Sequence, residues 1–128
     1  MIESFLNHFY KVISFEKGEE FKAEEFRQMF LEKASLLEEN EQQYERQTVA
    51  QYIKQFQNIY EAYPELFLEG FHEQQISYEV IETENSYLVA SRYEKRYTRD
   101  GEPIIEYGTN NFILVLVEEK LKIASVLW

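Results

Sequence analysis

Hydrophobic positions recur every three or four residues at the start of the chain. Ile2, Phe5, Leu6, Phe9, Tyr10 and Ile13 share one stripe, which predicts an amphipathic helix over residues 2–16 with Gly18 as its C-terminal cap. A second, shorter helix is expected to carry Phe26, Met29 and Phe30 on one face, followed by a short strand, Ala34-Ser-Leu-Leu-Glu38, and a polar connection over residues 39–46. Thr48 with Gln51 three residues on forms a capping-box pattern that opens a third helix. The stripe Val49, Tyr52, Ile53, Phe56, Ile59, Tyr60, Tyr63 runs until Pro64, which disfavours helical backbone at Tyr63 but suits the first position of one further turn through Phe67.

Beyond Gly70 the period changes to two. Ile76, Tyr78 and Val80 alternate with Ser77, Glu79 and Ile81, Glu84-Asn85 turns the chain, and Tyr87, Val89, Ser91, Tyr93, Lys95 and Tyr97 share one face of the next strand. Asp100-Gly101 is a strong hairpin signal. Residues 104–117 and 120–128 form two further strands around Glu118-Glu119, and the final Trp128 is expected to be part of the fold. Helices first and strands afterwards predict one α+β domain over residues 1–128, a curved antiparallel sheet packed against three N-terminal helices. Long, strongly twisted strands wrap, leaving a hollow between sheet and helices.

Composition sharpens that picture. Hydrophobic content of 45% excludes a disordered chain. Ten Tyr and ten Phe are more than a core of this size needs, so some of these rings are expected to line a cavity or an interface, although a core simply rich in aromatics is the alternative. Thirteen basic against twenty-four acidic residues leave a net charge of −11, which argues against nucleic acid and anionic membrane surfaces as partners. No Cys is present, so disulfides and thiolate metal sites are excluded. The first ten residues lack the features of a signal peptide, no apolar window reaches a membrane span, and a cytoplasmic protein is expected. His8 and His72 stand apart in sequence, and neither a Gly-rich phosphate loop nor a nucleophile-elbow serine is found, so no metal or cofactor is expected.

A few polar residues stand out against the apolar pattern. Glu38 shares a strand face with Leu36; it points inward if Leu36 does, and otherwise belongs to the solvated run Glu38-Glu39-Asn40-Glu41. Tyr10 lies at the edge of the first helical stripe. Asn110 and Asn111 are unusual in mid-strand and project to opposite faces, so one of them points inward and needs a hydrogen-bond partner. The face carrying Tyr93, Lys95 and Tyr97 is a candidate dimer surface, with a plain solvated face as the alternative.

The order of elements, with Gly108-Thr-Asn-Asn-Phe112 leading into the last hairpin and Lys122-Ile-Ala-Ser-Val-Leu-Trp128 closing it, resembles the nuclear transport factor two-like superfamily over nearly the whole chain. That group includes SnoaL-like cyclases, ketosteroid isomerases and non-enzymatic association domains. The resemblance implies a cone-shaped cystatin-like α+β roll, a pocket between the sheet and the helices, and a homodimer formed through the outer sheet face. In ketosteroid isomerases a Phe ending the second helix precedes the catalytic carboxylate by eight residues, and Phe30 precedes Glu38 by that interval. The family's oxyanion-binding Tyr lies on the first helix, where Tyr10 is the only Tyr, and its second acid falls near Asn110. Asn donates a hydrogen bond but is not an acid, so the isomerase set is incomplete. The resemblance therefore implies a small apolar or mixed-polarity ligand and cofactor-free proton transfer, with Glu38 as base and Tyr10 and Asn110 as oxyanion donors. The alternative is a non-enzymatic homodimeric interaction module whose pocket is filled by its own side chains.

Overall fold

A computed structural model describes residues 1–128. The elements are α1 (Ile2–Ile13), α2 (Ala23–Gln28), β1 (Phe30–Asn40), β2 (Gln43–Gln47), α3 (Val49–Ala62), a 3₁₀ turn (Pro64–Phe67), β3 (His72–Glu82), β4 (Tyr87–Arg99), β5 (Glu102–Val117) and β6 (Lys120–Leu127). The six strands form one sheet in the order β2-β1-β6-β5-β4-β3. Strands β3 to β6 make the expected antiparallel meander. The sheet as a whole is mixed, because β1 runs parallel to β6 (Leu36 opposite Val126, Leu37 opposite Leu127). No helix is long and apolar enough to cross a membrane.

The helix starts follow the local chemistry, and the ends follow tertiary pairing. Thr48 and Gln51 close a full capping box at the start of α3. The first helix ends at Ile13 and is capped by Ser14, not by Gly18. Phe15 is drawn out of the helix by a two-way backbone pair with Phe71, at 2.8 and 2.9 Å. Met29 and Phe30, placed on a helix by their spacing, instead lead into β1, where Phe30 pairs with Ile123. The polar connection contains a strand: β2 pairs with β1 across Glu41-Gln42, both at positive φ.

Inward positions of the sheet meet α1 and α2 in a core that includes Leu6, Phe9, Val12, Phe26, Leu36, Phe112, Leu114 and Ile123. Irregular pairing between Phe30 and Ser35, between Gln75 and Ser77 and between Ile113 and Leu114 interrupts the ladders. Such bulges bend a strand and increase its twist, and the sheet curves round the helices without closing. Phe15, Phe56, Phe67 and Phe71 pack at 5.6–6.1 Å between ring centres and fasten α3 and the 3₁₀ turn over the open end.

Candidate active site

Between the curved sheet and the helices lies a cavity of about 320 Å³, most of whose lining residues are hydrophobic. Phe9, Phe26, Phe30 and Tyr52 form its apolar wall, with Trp128 edge-on to Tyr52 at 5.6 Å. The polar groups that reach it come from four strands and α3: Glu38 on β1, Glu73 on β3, Tyr93, Lys95, Tyr97 and Arg99 on β4, Asn110 on β5, and Gln55 on α3. A mostly apolar concavity holding a few convergent polar groups has the general form of a small-molecule site.

Glu38 lies two residues beyond Leu36, which is buried at 1% exposure, and takes the inward alternative by lining the cavity. Asn110 is also inward and buried, whereas Asn111 faces out and donates to the Leu127 carbonyl at 3.3 Å. Tyr10 is buried but stands one layer behind the cavity wall. Asn110 Nδ2 donates to the Tyr10 hydroxyl oxygen at 3.2 Å, and Ser91 Oγ donates to Gln75 Oε1 at 3.0 Å. Ser91 has a single hydroxyl hydrogen, so the 2.6 Å contact between Tyr10 and Ser91 must be donated by Tyr10. The chain therefore runs Asn110 to Tyr10 to Ser91 to Gln75. It commits the Tyr10 hydrogen to Ser91 and holds the Asn110 amide in place, with a second amide hydrogen left uncommitted. Asn110 lines the cavity and Tyr10 does not. Burial pushes the Tyr10 hydroxyl upward against the opposing effect of its bonds to Ser91 and Asn110.

The sequence pattern did not single out Glu73. Its carboxyl is raised to about 7, chiefly because burial disfavours the charged form, with Lys95 pulling the other way. Glu73 and Lys95 are direct cross-strand partners, and Lys95 is in turn opposite Glu106, 3.9 Å from its carboxylate. The hydroxyls of Tyr52 and Tyr93 are both pushed upward by burial and then by the nearby Glu73, and neither is bonded to a side chain. Glu38 adds to the shift at Tyr52. Two carboxyls, two unbonded phenols and an oriented amide thus share one aromatic chamber.

The Tyr93, Lys95 and Tyr97 face, a candidate dimer surface by sequence, is the chamber wall. Tyr93 can lie flat there because its cross-strand partner is Gly108, where an added Cβ would come within 2.4 Å of the Tyr93 hydroxyl. Glu73 was hidden by the bulge at Ile76. Alternation counted back from Tyr78 turns Glu73 outward, and the extra residue reverses that parity. A polar run, Glu73-Gln74-Gln75, directly before a β-branched strand was the one available signal.

No protein-family model matches this chain, and no curated protein matches it by sequence. Solved structures do match its fold. A protein from Novosphingobium aromaticivorans, provisionally named a scytalone dehydratase, superposes with a TM-score of 0.67 at 15% identity, covering 98% of this chain and 76% of its own. A provisionally named ketosteroid isomerase from Shewanella frigidimarina gives 0.57 at 17% identity over 80% and 77% of the two chains. The beta subunit of a benzoate dioxygenase from Burkholderia mallei gives 0.73 at 10% identity over 98% and 85%. At these identities the likeness is one of fold.

Proposed function

On the premise of a nuclear transport factor two-like fold, we propose that this protein binds a small, mainly apolar molecule in its cone and transfers protons on it without a cofactor. The observation that carries the reading is the pairing of Glu38 with Glu73, a carboxyl raised to about 7, across one aromatic chamber. Two carboxyls held in different environments divide the roles of base and acid. The Glu38 carboxylate takes a proton from carbon next to a carbonyl. The resulting enolate oxygen accepts a hydrogen bond from the free Asn110 amide hydrogen and another from the Tyr93 hydroxyl. Glu73, protonated below about pH 7, gives its proton either to another carbon, which completes an isomerisation, or to a departing hydroxyl that leaves as water, which completes a dehydration; exchange with solvent then removes the proton from Glu38 and restores one to Glu73. Tyr10 keeps the Asn110 amide aimed by accepting its other hydrogen.

The test is deuterium wash-in from D₂O at the α-carbon of small aryl ketones, followed by proton NMR. Wild type should accelerate exchange, and Glu38→Gln should lower the rate at least about 100-fold, the usual worth of a positioned base, while the melting temperature stays nearly unchanged. Unaltered exchange in Glu38→Gln would remove Glu38 from the chemistry.

A second reading, a homodimer joined through the outer sheet face, has its own support. Ile81, Leu88 and Ile113 lie in register across β3, β4 and β5 with 64%, 39% and 39% of their surface exposed. An apolar row of this kind, repeated by two-fold symmetry, is self-complementary. It is compatible with the chamber chemistry, because it uses the opposite face of the same strands.

A further inference from the structure

We infer that the ligand of this cavity is an organic monocarboxylate whose apolar body fills the aromatic chamber and whose carboxylate sits on Arg99. The inference rests on the proposed binding role of the cavity and adds the chemical class of what enters it.

The cavity mouth is electrically divided. One edge carries Glu38, with Tyr52 and Trp128 beside it. The other, at the end of β4, carries Lys95, Tyr97 and Arg99. On this second edge the two cations are in different states. Lys95 has an ion-pair partner in Glu106, opposite it on β5 and 3.9 Å away. Arg99 stands opposite Glu102 on the facing strand but has no carboxylate within 4.0 Å. Its only side-chain hydrogen bond goes to the Tyr97 hydroxyl, at 3.0 Å, and its guanidinium lies 5.6 Å from the Tyr97 ring centre. The Tyr97 hydroxyl in turn donates to Glu106, which orients the ring under the guanidinium.

A guanidinium offers five N–H donors in a planar fork, and Tyr97 accepts from one. The rest are held at the rim by a ring whose own orientation is fixed. That is the geometry for bidentate capture of a carboxylate. Glu38 on the far edge repels an anion, so the carboxylate can seat only on the Arg99 side, and the body of the ligand is directed toward Glu38 and Glu73. At about 320 Å³ the chamber is near the lower bound for ligand pockets, which suits a body of one or two rings.

Trp128 lines the cavity and is the only tryptophan, so its fluorescence reports occupancy without any knowledge of turnover. The experiment titrates 4-phenylbutanoate and its neutral counterpart 4-phenylbutanol into wild type, Arg99→Gln and Arg99→Lys at pH 7. The carboxylate should bind wild type at least tenfold tighter than the alcohol. Arg99→Gln should bring the two within about twofold while leaving the alcohol unchanged, and Arg99→Lys should retain part of the preference. If both probes bind wild type equally, or if the preference survives in Arg99→Gln, the carboxylate assignment is overturned and the cavity remains a binding site. If neither probe binds, the assignment and the binding role beneath it both fall.

Discussion

Glu73 combines a chemical opportunity with a stability penalty. In the folded protein its carboxyl keeps its proton up to about 7, whereas an unfolded chain releases it near 4.5. Below about 4.5 both states are protonated and the group contributes nothing. Between those values the unfolded state is the one that ionises, so folding stability falls as pH rises, and the penalty is complete above about 7. Its size is at most about 3 kcal/mol. Glu73→Gln should therefore unfold at higher urea than wild type at pH 8, with the gap closing toward pH 4. A gap that stays constant across that range would show that Glu73 ionises normally. In catalysis the same proton should make turnover decline as pH rises through about 7, a limb that Glu73→Gln would lack. For Glu38 and Asn110 the sequence narrowed the choice to two faces each, and the resemblance pointed to both residues; regular alternation through Leu36 and Phe112 carries them inward. Glu73 was not legible, because the Ile76 bulge shifts the count by one.

Several elements were read correctly from local signals; strand β2 and the parallel pairing of β1 with β6 were not. The Asp100-Gly101 turn, the Thr48 cap and the last hairpin are all short-range features, and each appears where expected. Strand β2 has the sequence Gln-Tyr-Glu-Arg-Gln with no buried residue, so no hydrophobic period exists to announce it; backbone pairing to β1 alone defines it. The parallel contact of β1 with β6 joins segments far apart in sequence, which local pattern cannot encode. Glu118 and Glu119 turn the last hairpin at φ of 52° and 67°, a region that side chains disfavour and Asn-Gly tolerates. Replacing the pair with Asn-Gly should raise stability by about 1 kcal/mol in thermal unfolding, and an unchanged or lower melting temperature would contradict the turn assignment. Gly108→Ala should act in the opposite sense. Its Cβ would displace the Tyr93 ring and cost about 1–3 kcal/mol, while loosening the chamber wall. A Gly108→Ala protein as stable as wild type would mean that the ring does not lie where described.

At the scale of the molecule, the α+β class and the hollow between sheet and helices were anticipated by the switch in hydrophobic period at Gly70 and by the length of the strands after it. The two sheet faces were harder to assign. Tyr93, Lys95 and Tyr97 turned inward, and the apolar row left outside is Ile81, Leu88 and Ile113. If that row joins two copies, Leu88→Glu should convert a dimer to a monomer by light scattering after size exclusion, leaving Trp128 fluorescence unchanged. A dimer that persists in the variant would move the interface elsewhere. The chamber does not depend on that result. Its proposed chemistry depends on a carboxyl that remains protonated near neutrality inside an aromatic cavity. Carbon-13 NMR of glutamate side chains, titrated from pH 4 to pH 9 with Glu73→Gln used to assign the resonance, measures this directly. The account predicts a Glu73 midpoint of about 7. A midpoint near 4.3, that of an ordinary solvated glutamate, would contradict it.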